Sequence, residues 1–129
     1  MRDDIVLVGA NLNRMLALSV ALQGKSYNVT VIHAEGDALA EAARCPRHPT
    51  TMLVALGETE NVVDIRALLS SMPDTRMLFL TPDHPPSAAL ARIVRSFGGA
   101  ILPDDEADVV IVATVIAMNS TRADATNAR

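Results

Sequence analysis

Aromatic residues are nearly missing from this chain of 129 residues, with Tyr27, Phe79 and Phe97 its only rings of Phe, Tyr or Trp. A core must then be built from Leu, Val, Ile, Ala and Met, and too few rings remain to stack nucleobases or flavins. Cysteine occurs once, at Cys45, which excludes an internal disulfide, and no thiol or imidazole set has zinc-ligand spacing, so a reducing cytoplasm is the expected compartment. A surplus of positive charge is also lacking. Eleven Lys and Arg against fifteen Asp and Glu leave a net charge of -4, with a pI near 5.2, which disfavours direct contact between this domain and nucleic acid. No charged-then-apolar leader opens the chain, and no apolar run approaches the roughly 18 residues of a membrane span, so no membrane partner is expected.

What is present is half hydrophobic, enough for one domain to close a core without disulfide or metal staples. Five short apolar runs recur: Ile5 to Val8, Val29 to Ile32, Met52 to Leu56, Met77 to Leu80 and Ala100 to Leu102. Continuous Val, Ile and Leu without polar alternation predicts parallel strands covered on both faces. Between them lie helical patterns. Leu12, Met15, Leu16, Ser19 and Leu22 keep helical spacing, with Asn11 or Asn13 as N-cap and Gly24 as stop. Asp37 caps an alanine-rich second helix that Pro46 and Pro49 end, and a third runs through Val62, Ile65, Leu68, Leu69 and Met72. A fourth opens at Pro85-Pro86-Ser87, carries Leu90, Ile93, Val94 and Phe97, and stops at Gly98-Gly99.

Alternating strands and helices joined by short connections predict an α/β fold. The expected arrangement is flavodoxin-like, a five-stranded parallel sheet in the order 2-1-3-4-5 with helices on both faces. The domain is expected to occupy residues 1–119, with the polar, aperiodic stretch 120–129 a flexible linker or tail. In that order the ends of the first and third strands meet at one crevice, which makes the residues after Val8 and Val54 the ones to read for chemistry.

On this layout the chain resembles the receiver domain of bacterial response regulators, CheY-like in fold and of the NarL and FixJ type. The stretches that carry the likeness are Ile5-Val-Leu-Val-Gly-Ala-Asn-Leu-Asn-Arg14, Arg76-Met-Leu-Phe-Leu-Thr-Pro82 and Gly98-Gly-Ala-Ile-Leu-Pro-Asp104. The resemblance implies an acidic pair after the first strand to hold Mg²⁺, a phosphoacceptor aspartate ending the third, a hydroxyl after the fourth and a lysine after the fifth. Those positions fall on Gly9 and Ala10, Ala55, Thr81 and Pro103, and the aromatic switch position falls on Ala100. Only Thr81 matches. Without carboxylates, nucleophile or cation, phosphoryl transfer has no support and no metal or other cofactor is expected. A shift of one residue does not rescue the site, although Glu58 and Asp104 lie nearby in sequence.

Other polar residues have structural explanations. Asp104-Asp105-Glu106 precede a helix and suit its positive end, while His33, His48 and His84 lie near strand ends or among prolines without partner spacing. Cys45 is a small, partly buried residue rather than a nucleophile. Val8-Gly9-Ala10-Asn11 sits where dinucleotide folds place glycines, but a single glycine is a weak signal. No catalytic arrangement is apparent, so an enzyme is not expected.

The last helical segment, Asp108 to Met118, carries two apolar stripes: Val109, Val112 and Ile116 on one side, and Ile111, Val115 and Met118 nearly opposite. One sheet cannot bury both, so one stripe is expected to form a homodimer or interdomain contact, with Arg92 and Arg95 of the preceding helix meeting acids such as Asp104 or Asp108. The expected function is a phosphorylation-independent, receiver-like signalling domain, the N-terminal regulatory part of a transcriptional response regulator whose helix-turn-helix output domain follows. A stand-alone adaptor that docks on a signalling protein, or a small-ligand binder at the crevice near Gly9, are the alternatives.

Overall fold

The computed structural model describes residues 3–45, 48–57, 62–82 and 85–127. Pro46, Glu58 and His84, named above, lie outside the described residues. Five strands, β1 (Asp4–Gly9), β2 (Asn28–His33), β3 (Thr51–Ala55), β4 (Arg76–Thr81) and β5 (Ala100–Pro103), alternate with five helices. These are α1 (Leu12–Gln23), α2 (Ala38–Ala43), α3 (Val62–Ser71), α4 (Ala88–Ser96) and α5 (Asp108–Asn127). All strand pairings are parallel, and the order is β2-β1-β3-β4-β5, as the alternation predicts.

The sheet divides the core into two layers because successive side chains on a strand point to opposite faces. Val6, Val8, Met52, Val54, Met77 and Phe79 meet α2, α3 and α4 on one face. Ile5, Leu7, Leu53, Leu78 and Leu80 meet α1 and α5 on the other. Each fully buried Leu or Ile contributes about 1.5–3 kcal/mol, which is why the inner strands carry no polar alternation.

Helix starts follow the capping chemistry of the sequence. Asn11 accepts a side-chain hydrogen bond from the Arg14 N–H, Asp37 from Leu39 and Ala40, and Ser87 from Leu90. The turn from α4 into β5 needs both its glycines. Gly98 has φ +76°, and a Cβ on Gly99 would stand 2.7 Å from the Met77 carbonyl oxygen and 2.8 Å from Val94 Cγ1.

Helix α5 differs most from expectation. It continues to Asn127, through most of the stretch read as linker or tail. That stretch holds Ala, Asn, Ser, Thr, Arg and Asp but neither Gly nor Pro, so nothing in it stops a helix already propagating.

Candidate functional site

The carboxyl ends of the strands gather the positions singled out above. Gly9 ends β1, Ala55 ends β3, Thr81 ends β4 and Pro103 ends β5, with Ala10 directly after β1. Thr81 and Pro103 are register partners, Thr81 fully buried and Pro103 half-buried. The backbone is knitted together here: the Ala34 N–H donates to the Gly9 carbonyl, Leu56 N–H to Leu80, and Asp104 N–H to Thr81.

At Gly9 the space for a larger side chain is restricted. A Cβ on Gly9 would lie 3.0 Å from the Cβ of Ala55 and 3.3 Å from the Sδ of Met15. A side chain on Gly9 would thus crowd Ala55, and the two small residues pack against each other. Met15, held on α1 and 1% exposed, supplies a thioether where a receiver pocket needs oxygen. A hard divalent cation takes several oxygen ligands, and methyl groups, a thioether and hydrogen-bonded backbone do not provide them. Gly9, Ala55 and Met15 therefore supply no ligand set for Mg²⁺, and Ala55 carries no atom that could accept a phosphoryl group. Among the described residues no group of three or more His, Cys, Asp or Glu is placed to hold a metal ion.

Above this floor lies a cleft of about 410 Å³, bordered by Ala10, Asn11, Ala55, Leu56 and Leu80, with Glu35, Asp104 and Asp105 at its rim. Arg14 is its one cationic side chain among the described residues lining it. Its Nε lies 3.4 Å from Asp108 Oδ1 and its guanidinium also donates to the Glu106 carbonyl, so it ties α1 to the start of α5. Sequence reasoning missed this role, although Arg14 is the only charge on α1 and that isolation was a usable signal. The acids of the β5–α5 turn serve the helix, with Glu106 accepting from the Ala107 N–H and Asp108 in the first turn. His33 Nε2 donates to the Ala10 carbonyl at 3.0 Å, a bond that requires the proton on Nε2, and lies 3.8 Å from Glu35. His48 is exposed and Cys45 is half-buried against the core.

The two stripes of α5 separate, with one revision. Ile111 and Val115 are fully buried against the sheet, and Met118 is partly buried beside them. Val112, grouped by spacing with the opposite stripe, is only 9% exposed and belongs to the inward face. The outward side keeps Val109, at 75% exposure, the less exposed Val110, and a partly buried Ile116. Arg92 and Arg95 are exposed on α4, which covers the opposite face of the sheet from α5, so a surface joining them to Val109 must wrap around the β5 edge. Asp108, one of the acids expected to meet them, already pairs with Arg14.

No protein-family model matches the chain, and no curated protein matches it in sequence. Solved structures match it throughout. A CheY-like receiver domain protein from Methanospirillum hungatei JF-1 aligns with TM-score 0.71 at 12% identity, over 96% of this chain and 99% of that one. A response regulator from Burkholderia pseudomallei, carrying a phosphorylated aspartic acid, a calcium ion and citrate, aligns with TM-score 0.64 at 22% identity, over 95% of this chain and 72% of that one. The response regulator DrrB, an OmpR/PhoB homologue from Thermotoga maritima, aligns with TM-score 0.72 at 14% identity, and this chain spans 54% of its length. The fold is that of CheY-like receiver domains.

Proposed function

We propose that this chain is a receiver-like signalling domain that works without phosphorylation, passing its signal through protein contacts, as the regulatory part of a transcriptional regulator. One observation supports the reading: the strand ends carry Gly9, Ala10 and Ala55 in place of carboxylates, and a side chain on Gly9 would crowd Ala55 and Met15. Such a domain is not an enzyme, since it takes no phosphoryl group to transfer or hydrolyse. DrrB, of which this chain spans 54%, supports the idea that such a fold can form one part of a longer response regulator. The outward side of α5, led by Val109 and Val110, is the surface we assign to contact with the output domain of such a regulator.

The test is incubation with Mg²⁺ and acetyl phosphate, and separately with beryllofluoride. Intact mass and amide chemical shifts are expected to stay unchanged. A stoichiometric phosphoryl adduct, or saturable Mg²⁺ binding reported by amides around Gly9 and Ala55, overturns the reading.

A further inference from the structure

The side of the molecule formed by α1 and β2 joins exposed apolar side chains to an open strand edge among the described residues. Leu12, Leu16 and Val20 follow one another at four-residue spacing along α1 and are 39%, 48% and 70% exposed. They lie on the far side of the helix from Arg14, whose side chain reaches α5, and so face outward over β2. Among the described residues strand β2 is an edge strand that pairs only with β1. Its sequence, NVTVIH, has no Lys, Asp, Glu or Pro, the residues with which edge strands are usually blunted. Its hydrogen-bonding sides are also defined. The N–H groups of Asn28 and Ala34 donate to β1 and the segment before it, so by the two-residue repeat those of Val29 and Val31 point away from the sheet.

We infer that the chain pairs with a second copy of itself through this side, the two β2 strands running antiparallel across a two-fold axis normal to the sheet. Three features select a second copy as the occupant. Strands in a sheet are about 4.8 Å apart, and α1 lies over β1 and β2. Joining β2 to β2 therefore sets the two α1 axes about 10 Å apart, which is helix-packing distance, with Leu12 of one copy near Val20 of the other. A two-fold interface also brings like groups together near its axis. Between Leu12 and His33 the only charges are Arg14, turned towards α5, and Lys25. Antiparallel pairing finally exchanges the strand ends, bringing the exposed Lys25 of one copy to the end where Glu35 of the other is 84% exposed.

The inference does not depend on phosphoryl silence, and its test uses no phosphoryl donor. Sedimentation of the wild type should show a monomer–dimer equilibrium, and Val20→Arg should weaken it by at least about tenfold while far-UV circular dichroism stays native. Val109→Arg, on α5, should leave the dimer intact. Hydrogen exchange supplies a readout for the strand contact. The amides of Val29 and Val31 should be protected in the dimer and exposed in Val20→Arg, while that of Thr30, directed to β1, stays protected in both. A monomeric wild type at every concentration reached, dissociation by Val109→Arg in place of Val20→Arg, or fast exchange at Val29 and Val31 within a dimer each overturns the assignment.

Discussion

Substitution of Gly9 by alanine tests the packing on which the functional reading rests. The backbone at Gly9 does not have the positive φ found at Gly98, so alanine is conformationally allowed and any penalty is steric. Two terms compete. Losing glycine stiffens the unfolded chain, which stabilises by about 0.4–1 kcal/mol, whereas overpacking a filled site costs about 1–3 kcal/mol. The obstacle at 3.0 Å is the Cβ of Ala55, fixed to its strand, while Met15 is a flexible side chain that can turn aside. Overpacking should prevail, giving a net loss of about 0.5–2 kcal/mol and, for a domain of this size, roughly 3–5 °C in Tm per kcal/mol. In an Ala55→Gly background the obstacle is gone. Gly9→Ala should there be neutral or stabilising, so the effect changes sign between the two backgrounds. Urea and thermal unfolding of the four proteins of this double-mutant cycle measure the coupling, expected at about 1 kcal/mol or more. Equal effects of Gly9→Ala in both backgrounds would refute the claim that Gly9 and Ala55 pack against each other.

Other predictions follow from packing elsewhere. The buried Thr51 hydroxyl donates to Asn119 Oδ1 at 2.6 Å, and Asn119 Nδ2 is buried without a partner among the described residues; Thr51→Val alone should cost about 1–3 kcal/mol, whereas Thr51→Val with Asn119→Leu should be near neutral in urea unfolding. Gly99→Ala should cost about 1–3 kcal/mol, because its Cβ meets a backbone carbonyl and the Val94 side chain. Gly24→Ala, at a helical φ of -62° and with no neighbour closer than 3.4 Å, should raise stability by up to about 1 kcal/mol in the same assay.

The fold was legible because local signals agreed with one another. Uninterrupted apolar runs marked the strands, and Asn11, Asp37 and Ser87 stood where helices begin and do cap them. Helix α5 was harder to read because both of its sides are apolar. Spacing alone placed Val112 with Val109 and Ile116, but α5 packs against both the sheet and α1, so more than one stripe is covered and Val112 lies within that coverage. Its continuation past residue 119 was invisible because small polar residues signal neither helix nor loop strongly.

The site was legible only as a set of substitutions. Sequence order placed Gly9, Ala10, Ala55, Thr81 and Pro103 at strand ends, and the structure puts them there. What the sequence could not convey is that the position of Gly9 has no room for a larger side chain without displacing Ala55 or Met15. Met15 belongs to an apolar helix stripe by its spacing, and nothing local says that its thioether reaches the strand ends. A pocket that had merely lost its acids would be regained by replacing them. Here Gly9→Asp would drive a charged group against the Ala55 methyl and the Met15 sulfur, and an unpaired buried charge is costly. The floor of this end of the sheet, at Gly9 and Met15, is packed beneath an open cleft, and among the described residues the large apolar groups left exposed lie along α1, at the start of α5 and at Val63 on α3.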